Sequence, residues 1–209
     1  MVVVGEDIAI NGGVFRATQG LLEKFGPKRV RDTPIAETVI AGMAIGMAAE
    51  GLRPVAEIQF MGFIYSTIDQ MLNHASRLRN RTRGRLTCPM VLRAPFGGGI
   101  KPPEHHSEST EAIFAHIPGL RVVIPCSPAQ AYGLLLAAIR DPDPVIFLEP
   151  KRIYRAFREE VPEDEYTVPI GKARVVTEGD DVTVVSWGAP VIQCLNAIEA
   201  SGLSVELID

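Results

Sequence analysis

The sequence lacks the features that mark a secreted, membrane-spanning or nucleic-acid-binding protein. Its three cysteines are widely spaced and form no CxxC pair, which argues against a disulfide framework or a zinc site. No apolar run approaches the ~20 residues of a membrane span, and the apolar start is too short for a signal peptide. A formal net charge of −4 argues against nucleic-acid binding as the main role. We expect a cytoplasmic protein with no nucleic-acid or membrane partner.

The sequence also lacks several widespread catalytic motifs. It contains no Walker loop, no GxSxG elbow and no HExxH pair. The triglycine at 97–99 follows a predicted strand without opening a helix, which is a weak indication of nucleotide binding. The adjacent His105 and His106 point in different directions and have no evident third ligand, so we expect no zinc there.

One local excess of positive charge stands out against the acidic average. It consists of Arg77, Arg79, Arg81, Arg83 and Arg85. Charge runs of this kind are most often a solvated helix end and loop. A surface that docks a partner protein is the alternative.

Short β-branched runs alternate along the chain with longer stretches typical of helices. We predict strands at 2–4, 29–30, 54–60, 89–93, 120–124 and 145–148. We predict helices at 14–25, 37–50 and 64–78, and a further helix that is capped by Ser127 and has Pro128 first. Continuous apolar strands separated by helices indicate a parallel sheet covered on both faces. The predicted fold class is α/β, with a doubly wound parallel sheet.

A polar stretch at 159–165 interrupts this rhythm. Beyond it we predict strands at 173–176, 182–186 and 205–208 and a helix at 190–200. So few elements are unlikely to close a core alone. We therefore expect one domain at 1–160, followed at 161–209 by a linker and the truncated start of a second α/β domain.

The predicted helix at 37–50 is apolar nearly all round and rich in small residues. Glycine costs about 0.5–1 kcal/mol relative to alanine inside a helix, so Gly42 and Gly46 indicate a close approach of backbones. Tight packing on the helix's own sheet is one explanation, and a buried subunit interface is the other.

Polar residues cluster where the predicted parallel strands end, which is where open sheets of this kind bind ligands. Glu6 follows the first strand, Glu37 begins a helix, and Arg93 leads into a loop that carries the two histidines. Glu57 and Gln59 lie in the third strand. From these residues alone we predict an α/β enzyme with a carboxylate and histidine site.

Several blocks in a fixed order make the prediction sharper. They are Gly5-Glu6-Asp7, residues 12–16, residues 31–37, residues 51–54, residues 96–99, His106-Ser107 and residues 139–144. Together they resemble the β subunits of 2-oxo acid dehydrogenase complexes along the whole chain. The resemblance implies a transketolase-like domain that binds the pyrimidine ring of thiamine diphosphate.

The resemblance also implies roles for four residues. Glu37 would hydrogen-bond a pyrimidine ring nitrogen and favour the imino tautomer of the cofactor, and Glu6 would be a second acidic group near that ring. Phe63 would stack on the pyrimidine, although core packing also explains an aromatic there. His106 would donate a proton to lipoyl sulfur during acyl transfer. The spacing from Arg93 favours His106 over His105 for that role.

A potassium ion and two protein partners are implied in the same way. The family often holds potassium with carbonyl oxygens, and the matching positions are Met90, Ala138, Ile139, Asp141 and Asp143. The motif that binds diphosphate and magnesium belongs to the α subunit, and residues 179–181 do not match it. We therefore expect an α subunit in a heterotetramer, and a lipoyl acyltransferase core as a further partner.

The loop at 96–106 is more similar to bacterial pyruvate enzymes than to branched-chain ones. Pyruvate is therefore the predicted substrate, with oxidative decarboxylation and acyl transfer to a lipoyl group as the reaction. Branched-chain 2-oxo acids and acetoin are the alternatives. A fragment that assembles with an α-like partner without catalysis is a further one. Transketolase shares the implied fold but fits the blocks less well.

Overall fold

The computed structural model describes residues 1–209 and contains two β-sheets. The first has six strands in the order β2-β1-β3-β4-β6-β5, and all neighbours are parallel. Its strands are β1 (Val2–Gly5), β2 (Val30–Asp32), β3 (Pro54–Glu57), β4 (Val91–Phe96), β5 (Arg121–Val123) and β6 (Val145–Pro150). The predicted doubly wound parallel sheet is confirmed.

The helices cover both faces of this sheet and connect its strands. They are α1 (Leu21–Phe25), α2 (Glu37–Ala49), the 3₁₀-helix Met61–Thr67, the π-helix Gln70–Ala75, α3 (Leu78–Arg81), α4 (Glu111–Ala115), α5 (Pro128–Arg140) and the 3₁₀-helix Lys151–Ile153. None of the helices is both long and apolar enough to cross a membrane.

The core lies on both sides of the sheet, which explains why the strands read as continuous apolar runs. In β1, Val2 and Val4 belong to a cluster of 22 buried residues, whereas Val3 belongs to a second cluster of 11. Alternate side chains of a strand point to opposite faces, so both faces of β1 are buried. Helix α2 contributes to the first cluster and α5 to the second.

A smaller sheet follows the polar stretch. Its strands are β7 (Val175–Thr177), β8 (Val182–Val185) and β9 (Val205–Ile208), and helix α6 (Ala189–Ser201) connects the last two. Strand β9 lies in the middle, antiparallel to β7 and parallel to β8. Cys126, Val191 and Leu207 form its small core, so one core residue comes from the first part of the chain.

Two predicted helices are wrong in part. Residues 14–20 form turns, and α1 begins only at Leu21, because the backbone takes positive φ at Gly13, Arg16 and Gly20 and a helix cannot continue through such residues. The predicted helix at 64–78 is divided into the 3₁₀, π and α segments. The short helix α4 was not predicted, since five residues carry too little periodicity to recognise.

The start of α5 is as predicted. Ser127 is the N-cap, its Oγ accepts a hydrogen bond of 3.4 Å from the backbone N–H of Gln130, and Pro128 is the first helical residue. A capping side chain satisfies one of the unpaired N–H groups at a helix start.

The glycines of α2 do not pack on its own sheet, so the first explanation for them is wrong. Ala41, Ala44 and Ala48 are the residues buried against the sheet. A Cβ at Gly46 would meet no atom within 4 Å, and one at Gly42 would meet only the side chain of Gln70 at 3.7 Å. The glycines therefore leave an outer face of α2 without bulky side chains.

The arginine cluster lies at the end of the helical segments and in the turn that follows. All five side chains are exposed, and Arg79 forms an ion pair of 2.7 Å with Asp143. This placement agrees with the solvated helix end and loop. Cys88 and Cys126 are buried, as expected of small core residues, and all three cysteines are free.

A buried ion-pair network joins three neighbouring strands near their carboxyl ends. The guanidinium of Arg93 on β4 donates to Glu57 at the end of β3 and to both carboxylate oxygens of Glu149 on β6. The hydroxyl of Tyr154 donates to Glu149 at 2.6 Å. Burial, together with the charge of Glu149, raises the pKa of Glu57, although Arg93 opposes the shift.

We predict that Arg93→Met destabilises the protein strongly. The substitution leaves Glu57 and Glu149 buried without their cation, and breaking a buried pair in this way costs about 3–5 kcal/mol. Urea denaturation should show this loss in the free energy of unfolding. Arg155→Met, at an exposed position, is the control and should change it by less than about 0.5 kcal/mol. An unchanged midpoint for Arg93→Met would contradict the role given to the network.

Candidate active site

The predicted acidic residues meet at the carboxyl ends of β1 and β2. Glu6 directly follows β1 and is 6% exposed, and Glu37 is the first residue of α2, which follows β2. Burial and the negative charge of Glu37 raise the pKa of Glu6, and the backbone of Ala36 opposes this shift. The structure therefore brings Glu6 and Glu37 together as two interacting carboxyl groups.

Two buried polar atoms at this corner have no partner. They are Oε1 of Glu6 and Oγ1 of Thr33, the residue that follows β2. The backbone N–H of Thr33 donates to the carbonyl of Gly5 at 2.9 Å, which fixes the turn against the end of β1. Buried polar groups in proteins are nearly always satisfied, so two orphans side by side indicate a place for a polar ligand. A ring with nitrogen donors and acceptors, such as an aminopyrimidine, fits this requirement.

An aromatic cluster lies next to it, at the ends of β3 and β4. The ring of His106 is 4.5 Å from the ring of Phe60 and 5.1 Å from the ring of Phe63, measured between centroids. Phe15 packs against Phe60 at 5.5 Å and against Tyr154 at 5.1 Å. Phe63 is half-buried, so it packs within the cluster and keeps part of its ring accessible.

The two histidines, His105 and His106, have different surroundings. The ring of His106 belongs to the aromatic cluster, whereas His105 is exposed and has a positive φ of 62°. The carbonyl of His105 lies so close to Gly62 that any Cβ at residue 62 would overlap it. Glycine at position 62 therefore lets the histidine loop close over the 3₁₀-helix Met61–Thr67.

The tautomer of His106 follows from its backbone contact. Its Nδ1 lies 2.7 Å from the carbonyl oxygen of Glu104, which can only accept a hydrogen bond. Nδ1 therefore carries a proton, and Nε2 is the ring atom left for a ligand. Such a contact also fixes the orientation of the ring.

No hydrogen bond or ring contact joins the Glu6–Glu37 pair to the aromatic cluster. They lie at the ends of adjacent strands, since β1 pairs with β3 in the sheet. Thr33, Phe60 and Tyr154 were not predicted as site residues. Phe60 lies three positions before Phe63, a spacing that could have drawn attention to it, but the sequence carries no sign of an unpaired Thr33 hydroxyl.

The residues predicted to hold potassium lie away from this edge, where α5 ends and β3 and β4 begin. The carbonyl oxygens of Ile139 and Asp141 converge on Nη1 of Arg53, at 2.6 and 3.2 Å. The carbonyl of Met90 accepts from Val145 at 3.0 Å.

The other two predicted positions, Ala138 and Asp143, also have partners, as does the side chain of Asp141. The carbonyl of Ala138 accepts from the N–H of Asp141 at 3.3 Å, and the carboxylates of Asp141 and Asp143 pair with Arg121 and Arg79. The carbonyls of Ile139 and Asp141 thus converge on one positive charge, and in this structure that charge is a guanidinium.

A mainly apolar cavity of about 380 Å³ lies on the other side of the sheet, beneath α5. It touches the buried network at Arg93, Glu149 and Tyr154. None of Glu6, Glu37, Phe63 and His106 lines it. These four predicted site residues therefore lie outside this cavity.

Comparison with known proteins agrees with this fold. Residues 1–156 match the family described as the transketolase pyrimidine-binding domain. The chain belongs to this family. The matched region contains the six-stranded sheet and every predicted site residue.

Individual relatives are similar over the full chain. It is 58% identical to the pyruvate dehydrogenase E1 component subunit beta of Acholeplasma laidlawii, 52% to that of Mycoplasma genitalium and 50% to that of Bacillus subtilis strain 168. Each alignment covers 100% of this chain and 65% of the relative. The chain thus spans just under two thirds of the length of these relatives.

A solved structure supports the fold. A split-gene transketolase, described as an inactive beta4 tetramer, superimposes with a TM-score of 0.73 at 22% sequence identity. The match covers 100% of this chain and 63% of the other. The transketolase-like α/β fold is therefore confirmed.

We predict that Glu6→Gln stabilises the unliganded protein at neutral pH. The folded-state pKa of Glu6 is raised, so its charge costs stability above its ordinary value of 4.5, and the cost disappears as the pH falls below that value. The gain comes from removing the buried charge and not from removing the unpaired atom, since the glutamine amide needs partners at the same place. We therefore expect Glu6→Gln to be the more stable protein at pH 7.

Thermal or urea unfolding of both proteins from pH 4 to pH 7 measures this difference. The advantage of Glu6→Gln should shrink towards pH 4, where wild-type Glu6 is itself protonated. Glu163→Gln, at an exposed position, is the matched control and should show no such trend. A variant less stable than the wild type at pH 7 would contradict the unpaired, strained state of Glu6.

Proposed function

We propose that the chain is the pyrimidine-binding part of the β subunit of a thiamine diphosphate-dependent pyruvate dehydrogenase. The observation that carries the proposal is the buried Glu6 carboxyl, half unpaired beside Glu37, at the same sheet edge as the His106–Phe63 contact. Whole-chain identity of 50–58% to subunits of that name supports it. Thiamine diphosphate would supply the carbanion chemistry, and the chain would position and polarise it.

Each of the four residues then has a defined task. The Glu37 carboxylate accepts a hydrogen bond from a pyrimidine ring nitrogen, and low local polarity strengthens that bond. Glu6, whose pKa is raised by burial and by the charge of Glu37, is a second carboxyl group for contact with the same ring. Phe63 stacks on the ring, since it is half-exposed beside His106.

His106 acts at the acyl-transfer step. Its Nδ1–H is held by the Glu104 carbonyl, so Nε2 is the nitrogen left for a ligand. The imidazolium form, with a second proton on Nε2, would deliver that proton to a lipoyl sulfur and keep the Nδ1 proton. The acceptor is the lipoyl group of an acyltransferase core.

The rest of the cofactor site belongs to an α subunit. The sequence has no match to the motif that binds diphosphate and magnesium, so an α chain would hold both. The outer face of α2, with Gly42 and Gly46 open and Val39 58% exposed, suits close contact with another chain in a heterotetramer. The substrate is a 2-oxo acid, and the identity of the relatives favours pyruvate.

Further proposals concern the domains and the compartment. The family match ends at residue 156 and the smaller sheet begins at Val175, which supports domains at 1–160 and 161–209. The three free cysteines support a reducing, cytoplasmic setting, and burial raises the pKa of Cys88 and Cys126 to about 12, so both thiols are inert.

The function is tested with the complete β subunit co-expressed with its α subunit, in the presence of thiamine diphosphate and magnesium. Reduction of an artificial electron acceptor is followed with pyruvate, 3-methyl-2-oxobutanoate and acetoin. We expect activity on pyruvate, reduced at least about 100-fold in Glu37→Gln. Activity on one of the other substrates alone would replace pyruvate, and an inactive complex with bound cofactor would favour the non-catalytic assembly alternative.

His106 has a test of its own in the same complex. His106→Gln should keep the reduction of the artificial acceptor, which needs no lipoyl group, and lose acyl transfer to a lipoyl domain. His105→Gln is the matched control and should keep both, because its ring is exposed. Equal loss of both activities in His106→Gln would contradict a role confined to acyl transfer.

Potassium binding at Ile139 and Asp141 is also a proposal. If the ion joins the carbonyls that contact Arg53, the melting temperature should be higher in potassium chloride than in choline chloride at equal ionic strength. The gain should follow potassium concentration and be absent with sodium. Equal melting temperatures in all three salts would show that Arg53 alone supplies the positive charge.

A further inference from the structure

Lys151 is a buried ammonium group without a hydrogen-bond partner. It follows β6 directly, its side chain is 3% exposed, and its Nζ contacts no acceptor. Burying a charged group without a partner has a large desolvation free-energy cost. A buried, unpaired ammonium group of this kind indicates an anionic ligand that comes from outside the chain.

The ammonium lies within the aromatic cluster of the site. Nζ is 5.5 Å from the centre of the Phe60 ring, and the same ring contacts His106 at 4.5 Å and Phe63 at 5.9 Å. A cation over an aromatic face is attracted to it, which offsets part of the cost of burial. Phe60 therefore links Lys151 to the cluster that contains His106 and Phe63.

The charged groups around Lys151 are committed to other partners. Glu149, two residues before it, accepts from Arg93 and from Tyr154. Arg93 in turn binds Glu57 and Glu149, so it is already neutralised.

No group of the histidine loop accepts a hydrogen bond from Nζ either. His106 directs Nδ1 to the Glu104 carbonyl, and Glu108 accepts from Tyr65 at 2.8 Å. Arg152, the next residue, lies close to Gly99 of the triglycine loop. Burial alone lowers the pKa of Lys151 to about 8, with no charged neighbour contributing.

We propose that Lys151 binds the carboxylate of the 2-oxo acid substrate. This inference rests on the proposed function and adds the residue that recognises the acid. Glu6 and Glu37 are negative and would repel a carboxylate from the pyrimidine end of the site. Lys151 is a buried, unpaired positive charge that contacts the same Phe60 ring as His106, and a charge-assisted hydrogen bond to a carboxylate satisfies it.

The test uses the complete β subunit assembled with its α subunit, and compares wild type with Lys151→Met and Lys151→Arg. Lys151→Met keeps an unbranched side chain one atom shorter and removes its charge. We expect the KM for pyruvate to rise roughly 10- to 100-fold, with a smaller change in kcat, and Lys151→Arg to recover most of the loss. Binding of thiamine diphosphate, measured by calorimetry, should be unchanged. Lys28→Met, at an exposed position, should match the wild type.

The pH profile of the wild-type complex is a second readout, and Lys151→Arg is its control. Lys151 is charged below about pH 8 and neutral above it, so kcat/KM for pyruvate should fall as the pH rises through about 8. In Lys151→Arg the fall at this pH should be absent, because a guanidinium stays charged. If Lys151 were only structural, kcat/KM would show the same dependence on pH above 8 in the wild type and in Lys151→Arg.

The outcomes separate this inference from the proposed function. An active wild-type complex in which Lys151→Met leaves the KM unchanged overturns the inference alone. A second combination of results also overturns the inference alone: the Lys151→Met complex dissociates, and kcat/KM of the wild type and of Lys151→Arg does not fall near pH 8. Lys151 would then pair with an acidic residue of the α subunit. A wild-type complex inactive on every 2-oxo acid overturns both.

Discussion

The candidate site depends on the buried guanidinium of Arg93. By donating to Glu57 and Glu149, Arg93 ties together the carboxyl ends of β3, β4 and β6. The aromatic pair Phe60 and Phe63 follows the first of these strands, the His106 loop follows the second, and Lys151 follows the third. One desolvated ion-pair network thus fixes the relative positions of the segments that form half of the site, and the other half is fixed by the turn between β2 and α2.

Several buried polar groups remain unsatisfied at this edge of the sheet. Glu6, Thr33 and Lys151 each keep an atom without a partner. Proteins satisfy nearly all such atoms, because each orphan costs stability. Two more such atoms, on Thr110 and Glu111, lie at the start of α4. Glu6, Thr33 and Lys151 directly follow β1, β2 and β6, at the edge where parallel sheets bind ligands, which supports the proposed site.

The fold class was predictable because strands buried on both faces leave a clear signature. The run Val2-Val3-Val4 supplies both core clusters, so it is apolar throughout. The segment at 14–20 was not predictable as turns, because its periodicity resembles a helix and the positive φ at Arg16 depends on contacts such as that of Thr18 Oγ1 with the carbonyl of Ile8, at 2.7 Å. The pairing of Glu6 with Glu37 follows from strand order, but the unpaired state of Lys151 depends on where every neighbouring charge is directed.

The central claim is that this chain supplies only one half of a cofactor site. Calorimetric titration of thiamine diphosphate with magnesium into the complete β subunit, the α subunit and the assembled pair tests it most directly. The account predicts saturable binding only in the pair, weakened by replacing both Glu6 and Glu37 with glutamine. Equally tight binding to the α subunit alone, or to a pair in which both carboxylates are replaced, would contradict it.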